Sequence, residues 1–186
     1  MSVTLEGGFA NPPVDAAQAF RAAMEAMARP GRIYEIGGAV PPAPMSVAAG
    51  ALILTLCDAG TPVHLAGAWD CEPVRTWITF HTGAPVVGAA KAMFALGDWA
   101  ALQPLDAYMV GLADYPDRSA TLIVESTALA REGATLSGPG IESEHALNLP
   151  ELAAFQRNAM LFPLGLDFYF TAGTAVAGLP RTTRVS

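Results

Sequence analysis

Hydrophobic positions along the chain switch several times between helical and extended spacing. The first strong run opens at Asp15, whose carboxylate is placed to accept the free amide protons of a first helical turn, with Gln18 in the capping-box position. Phe20, Ala23, Met24 and Met27 follow at helical spacing and Pro30-Gly31 stops the run, which predicts a helix of about four turns with that apolar stripe. A second helix is expected from near Ser46. Val47, Leu52, Ile53, Leu56 and Cys57 make it apolar on nearly every side, a pattern that calls for deep burial, and the turn residues Asp58 to Pro62 end it. Val63 to Ala66 reads as a short strand, and Asp70 with Pro73 opens a helix whose inward face is Val74, Trp77, Ile78 and His81. Met93 to Leu96 and Thr121 to Glu125 read as strands, the second nearly all apolar and β-branched as central strands are. Leu149 to Met160 reads as a helix, followed by strands at Leu166 to Thr171 and Ala175 to Leu179.

Helices and strands therefore interleave from end to end. Earlier strands are joined by helical crossovers and the last pair by a hairpin-length link, so the expected fold is α/β, a three-layer domain around a mixed sheet. Gly37 to Pro44 is the one Pro/Gly cluster and reads as a loop. With no internal repeat, low-complexity tract or linker, residues 1–186 are expected to form a single domain.

Composition adds two constraints. A chain of 186 residues buries roughly 70% of its unfolded surface, enough for a complete core. Yet 52% of the residues are hydrophobic and only 15% charged, and this apolar surplus points to partner contact. The formal charge of -7, with nine Arg and the single Lys91, argues against nucleic acid and anionic membrane surfaces as partners. The opening MSVTLEGGFANPP lacks a basic segment followed by an apolar one, and the longest apolar stretch, near Val47 to Cys57, is too short to span a bilayer. A cytoplasmic location is expected. Cys57 and Cys71 are too few and too scattered for a disulfide framework or a zinc ribbon and read as buried reduced thiols.

General acid–base chemistry would draw on His64, His81, His145, Asp58 and Asp167, and their spacing leaves open which of them meet in one cleft. His81, followed by Thr82 in FHTGAP, stands at a helix end, where the ring either caps carbonyls or meets a ligand. His64 in mid-strand reads as a satisfied core or edge residue, and His145 in the acidic run IESEH as a solvated one. The motifs of a dedicated metal site are absent, as are the glycine loops that cradle phosphate; LSGPGIE, residues 136–142, reads as a turn. The most suggestive polar group is PRTTR, in which Arg181, Thr182 and Thr183 follow a strand. Arg181 offers a bidentate donor to phosphate or phosphonate; alternatively it anchors a partner loop or an internal carboxylate such as Asp167.

Seven segments in order carry a family resemblance: GFANP at 8–12, FRAAMEAMARPG at 20–31, LTLCDAGTPV at 54–63, FHTGAP at 80–85, LSGPGI at 136–141, FPLGLD at 162–167 and GLPRTT at 178–183. With these segments the chain resembles the PhnH family, a subunit of the bacterial carbon-phosphorus lyase core complex. The resemblance implies a fold like that of pyridoxal-phosphate-dependent transferases without their cofactor site, a homodimer in isolation, and partner subunits PhnG, PhnI and PhnJ. In that system PhnI, with PhnG, PhnH and PhnL, attaches a phosphonate to the ribose of ATP and releases adenine, and the radical enzyme PhnJ later breaks the carbon-phosphorus bond. The family offers no agreed catalytic residues to transfer. Independently, a Schiff base requires a lysine, and Lys91 reads as an exposed surface residue, so no pyridoxal phosphate or other cofactor is expected. The leading expectation is an accessory subunit that is not catalytic alone. The rivals are an autonomous enzyme using the His81/Arg181 region and a degenerate cofactor domain that still holds a nucleotide or phosphonate.

Overall fold

The computed structural model describes residues 5–186. In chain order its elements are α1 (Pro12–Ala28), β1 (Tyr34–Glu35), α2 (Val47–Leu56), β2 (Val63–Leu65), α3 (Glu72–Thr82), β3 (Phe94–Asp98), β4 (Val110–Leu112), β5 (Tyr115–Ser119), β6 (Thr121–Glu125), β7 (Ala134–Ser137), β8 (His145–Leu147), α4 (Leu152–Ala159), β9 (Asp167–Ala172), β10 (Ala175–Leu179) and β11 (Arg184–Val185). Six strands form a mixed sheet in the order β1-β10-β9-β6-β3-β2. Strands β2, β3, β6 and β9 are parallel, while β10 and β1 add antiparallel pairs at one side. The β9–β10 link is a tight hairpin through Gly173, whose φ of 59° is the left-handed conformation such a turn requires.

Side chains alternate between the two faces of this sheet. Ile123, Tyr169 and Val176 join a core with α1, α2 and α3, whereas Leu122, Val124, Phe168 and Phe170 face a second core built with α4 and a small β11-β7-β8 sheet. One outer layer is thus helical, and the other is part helix and part sheet. Phe155 of α4 anchors the second core, its ring centroid 5.1 Å from that of Phe168 and 5.7 Å from that of Phe170.

Helix α2 follows its sequence pattern closely. Ser46 caps it by accepting from the Ala49 amide at 3.1 Å, and the six residues from Ala48 to Ile53 are all buried. Helix α1 departs from expectation in two ways. It begins at Pro12, because Pro12 and Pro13 fill first-turn positions that need no amide donor, and Asp15 reaches back to accept from the Asn11 amide at 2.8 Å. Its buried face is Ala19, Ala23 and Ala26, while Phe20 and Met24 are 53% and 50% exposed. The reason is close packing. A Cβ on Gly178 of β10 would lie 2.6 Å from the Ala26 carbonyl, so the helix backbone rests directly on the strand and only small residues fit between them.

Helix α3 buries Val74, Trp77 and Ile78 and ends at Gly83, while His81 is half-buried. Helix α4 is shorter than the expected Leu149 to Met160, and β3 and β9 each sit slightly later than their apolar runs suggest. The β4–β5 hairpin and the β11-β7-β8 sheet were not foreshadowed by the pattern, since their strands are short and half-exposed.

Candidate functional site

Strand β10 ends beside the start of its antiparallel neighbour, with Leu179 opposite Phe168. The chain then turns, the Thr183 amide donating to the Pro180 carbonyl at 2.9 Å, and this sets Arg181 against Asp167. The Arg181 amide and Nε both donate to Asp167 Oδ1, at 2.9 and 3.2 Å, and Nη2 donates to Oδ2 at 2.5 Å. Nη2 also donates to Ser119 Oγ. Nη1 reaches the carbonyls of Pro116 at 2.8 Å and Pro163 at 3.5 Å. The side chain is only 12% exposed. Of the roles open to Arg181, the geometry realises the internal tether: every guanidinium nitrogen is committed within the molecule.

This knot joins the first residue of β9, the β4–β5 hairpin and the loop after α4, and the Gly165 amide adds a 2.9 Å bond to the Val110 carbonyl. The tied segments carry Leu112, Tyr115, Met160, Leu161 and Phe162, all exposed, with Met160 at 76% and Phe162 at 59%. Beside them a groove of about 380 Å³ is lined by Pro139, Ala159, Phe162, Arg181, Thr182 and Arg184. Thr182 is exposed, whereas Thr183 is buried and its hydroxyl has no partner among the described residues. A rigid polar knot under a rim of exposed apolar side chains is suited to holding a partner surface in register.

His81 stands elsewhere. Its ring packs against Trp77 at 4.8 Å and Phe80 at 5.0 Å between centroids, and lies so close to Gly8 that a Cβ there would come within 2.7 Å of it. Trp77 Nε1 donates to the Glu6 carbonyl at 3.0 Å, so the end of α3 holds the N-terminal segment in place. His81 Nε2 is buried with no partner among the described residues. Thr82 closes the helix, its hydroxyl donating to the Ile78 carbonyl at 2.7 Å and accepting from the Ala84 amide at 3.0 Å. Between β9, where Arg181 is tied, and β2, which α3 follows, lie three strand spacings, about 14 Å. The two halves of the expected His81/Arg181 region are therefore separate places.

The other titratable candidates are also locally engaged. Asp58 accepts from the Gly60 amide in its own turn, and His64 Nδ1 pairs with the Val87 carbonyl at 3.0 Å. His145 is half-buried rather than solvated, its Nδ1 donating to the Pro30 carbonyl at 2.6 Å. Lys91 is exposed on a short turn. Cys57 is buried and Cys71 partly so; both thiols are free, and burial pushes Cys57 up to about 12. Among the described residues no group of three or more His, Cys, Asp or Glu is arranged to hold a metal, and no helix is long and apolar enough to cross a membrane.

One buried ionisable group escaped the sequence pattern. Glu125 ends the central parallel strand β6, its Oε1 accepting from the Ser46 amide at 2.7 Å and its Oε2 from the Thr171 hydroxyl at 3.0 Å. Burial pushes its carboxyl above the ordinary glutamate value, and the Ser46 and Thr171 donors draw it only part of the way back. The Trp69 indole nitrogen approaches the same carboxylate without reaching full hydrogen-bond geometry. The available signal was a lone charged residue closing the apolar run TLIVE. Because folding raises this group, the native state binds more protons than the unfolded chain above about pH 4.5, and its stability contribution is lost as pH rises through the folded value. Urea midpoints of Glu125→Gln should lack that decline, so the difference between variant and parent grows with pH. Parallel profiles across the pH range would contradict the assignment.

Residues 7–186 match the family model described as bacterial phosphonate metabolism protein (PhnH). The chain is 41% identical to "Alpha-D-ribose 1-methylphosphonate 5-triphosphate synthase subunit PhnH" of Rhizobium meliloti (strain 1021), over 96% of this chain and 94% of that protein. It is 28% identical to "Putative C-P lyase subunit protein HtxG" of Stutzerimonas stutzeri, over 97% of this chain and 96% of that one.

Proposed function

The chain belongs to the PhnH family of bacterial phosphonate metabolism proteins, and from this we propose that it is an accessory subunit of a carbon-phosphorus lyase system. In this role it supports the attachment of phosphonate to the ribose of ATP with release of adenine, without an active site of its own. It acts in the cytoplasm as one domain, related in fold to pyridoxal-phosphate-dependent transferases but without their cofactor site, and docks with PhnG, PhnI and PhnJ. The observation that carries the proposal is the Arg181 knot, which fixes a hairpin and a loop bearing five exposed large apolar residues. The subunit names of both relatives point the same way. An autonomous enzyme built on His81 and Arg181 finds less support, since the two lie in different parts of the fold and Arg181 is committed internally.

The test is to purify the chain alone and with the three partner subunits, then measure nucleoside transfer in the presence of the PhnL protein. The proposal expects co-purification, no adenine release by the chain alone, and a slower reaction when it is omitted. Failure to co-purify, or turnover by the chain alone, would overturn it.

Without partners the chain is expected to pair with a second copy. Phe20 and Met24 stand on an outward face of α1, and a two-fold contact between like patches is the commonest way to cover one. Light scattering at micromolar concentration should give twice the monomer mass; a monomer would rule the pairing out.

A further inference from the structure

We infer that the cleft between the turn after α1 and the start of β8 binds the dianionic head group of a phosphoryl or phosphonyl compound. The cleft encloses about 510 Å³ and is lined by Gly31, Arg32, Arg131, Glu144, His145 and Ala146. It shares no lining residue with the Arg181 knot or with the groove beside it.

Three observations carry the assignment. The first is charge. In a chain of net charge -7, two of nine arginines converge on one cleft. Among the described residues neither Arg32 nor Arg131 forms an ion pair; those present involve Arg29, Arg75, Arg157 and Arg181. Glu144 is the single carboxylate in the lining and pairs with neither arginine. Two forked donors facing one space without a protein acceptor match the acceptor-rich face of a tetrahedral PO₃ group.

The second is the imidazole. His145 Nδ1 donates to the Pro30 carbonyl at 2.6 Å, which fixes the tautomer and leaves Nε2 as the atom available to a hydroxyl of the ligand. The third is the floor. Gly31 has φ +84°, and a Cβ there would lie 2.6 Å from His145 Cβ and 3.2 Å from Leu136 Cδ1. Only glycine lets the turn and β8 approach this closely, so the histidine is held against rigid backbone. The volume exceeds what one inorganic phosphate needs and lies within the range of small-molecule pockets, which leaves room for the organic part of an ester or phosphonate.

Calorimetric titration of the full chain at constant ionic strength tests this, with methylphosphonate and inorganic phosphate as separate probes. Saturable one-to-one binding of either is expected, and the order of affinities tells an organophosphonate site from a plain phosphate site. Arg32→Gln and Arg131→Gln should each weaken binding roughly tenfold, since each removes a charge-assisted contact, and together abolish it. Both side chains are exposed, so the melting temperatures without ligand should stay near that of the parent. Absence of saturable binding to the parent, or equal binding by the double variant, would overturn the assignment. So would a double variant that is altered only in its capture by partner subunits, which would make the cleft a protein contact instead.

Discussion

Arg181→Ala should destabilise the chain by about 3 kcal/mol, because truncation strands a largely buried carboxylate and unties three segments at once. Asp167 would keep its bond from the residue 181 amide but lose Nε and Nη2, and the Pro116 and Pro163 carbonyls would lose their donor. For a chain of this size the loss corresponds to a drop of roughly 6 to 12 °C in melting temperature. Arg181→Lys keeps the charge but not the fork, so it should fall between parent and alanine variant. Adding Asp167→Ala to Arg181→Ala should cost much less than the sum of the single effects, since the two side chains act as one unit. A melting temperature for Arg181→Ala within a degree of the parent would show that the knot does not stabilise the fold.

Met160→Ser combined with Phe162→Ser should leave melting nearly unchanged and weaken partner capture by roughly a hundredfold or more, as expected for two apolar anchors of a docking surface. Both side chains are more than half exposed and lie outside the two buried cores, so little folding energy rests on them. The paired comparison separates the two roles proposed for one region, Arg181 holding the loop from beneath and the apolar residues meeting a partner at the surface. Normal capture by the double variant would move the docking face elsewhere on the molecule, with the outward face of α1 the next surface to test.

Local pattern in the chain foreshadows some elements of this fold and not others. Helix α2 was legible as a buried element because an apolar run has one good outcome, burial, although only Ala48 to Ile53 are fully buried and Val47 and Leu54 to Leu56 are partly so. The stripe of α1 misled, because periodicity identifies residues that share a face but not the face that meets the sheet. That choice was made by Gly178, which admits the helix backbone so closely that alanines face inward and Phe20 and Met24 outward. Arg181 and Asp167 could be named as possible partners because a hairpin brings residues near its two ends together. Their further ties to Pro116, Ser119 and Pro163 depend on a hairpin whose strand YPDRS carries no clear alternation. The partners of Glu125 and the Arg32, Arg131 and His145 cleft are products of long-range topology, and no local spacing announces them.

In the proposed function the chain assists a reaction through docking and does not itself catalyse it. This is tested most directly by the initial rate of adenine release from ATP and phosphonate by PhnG, PhnI and PhnJ together with the PhnL protein, measured with no added chain, with the parent, and with the Met160→Ser, Phe162→Ser variant. The parent should accelerate release, the variant should leave the rate near that of the omission, and the parent without partners should give none. Full acceleration by the variant, or adenine release by the parent alone, would contradict it.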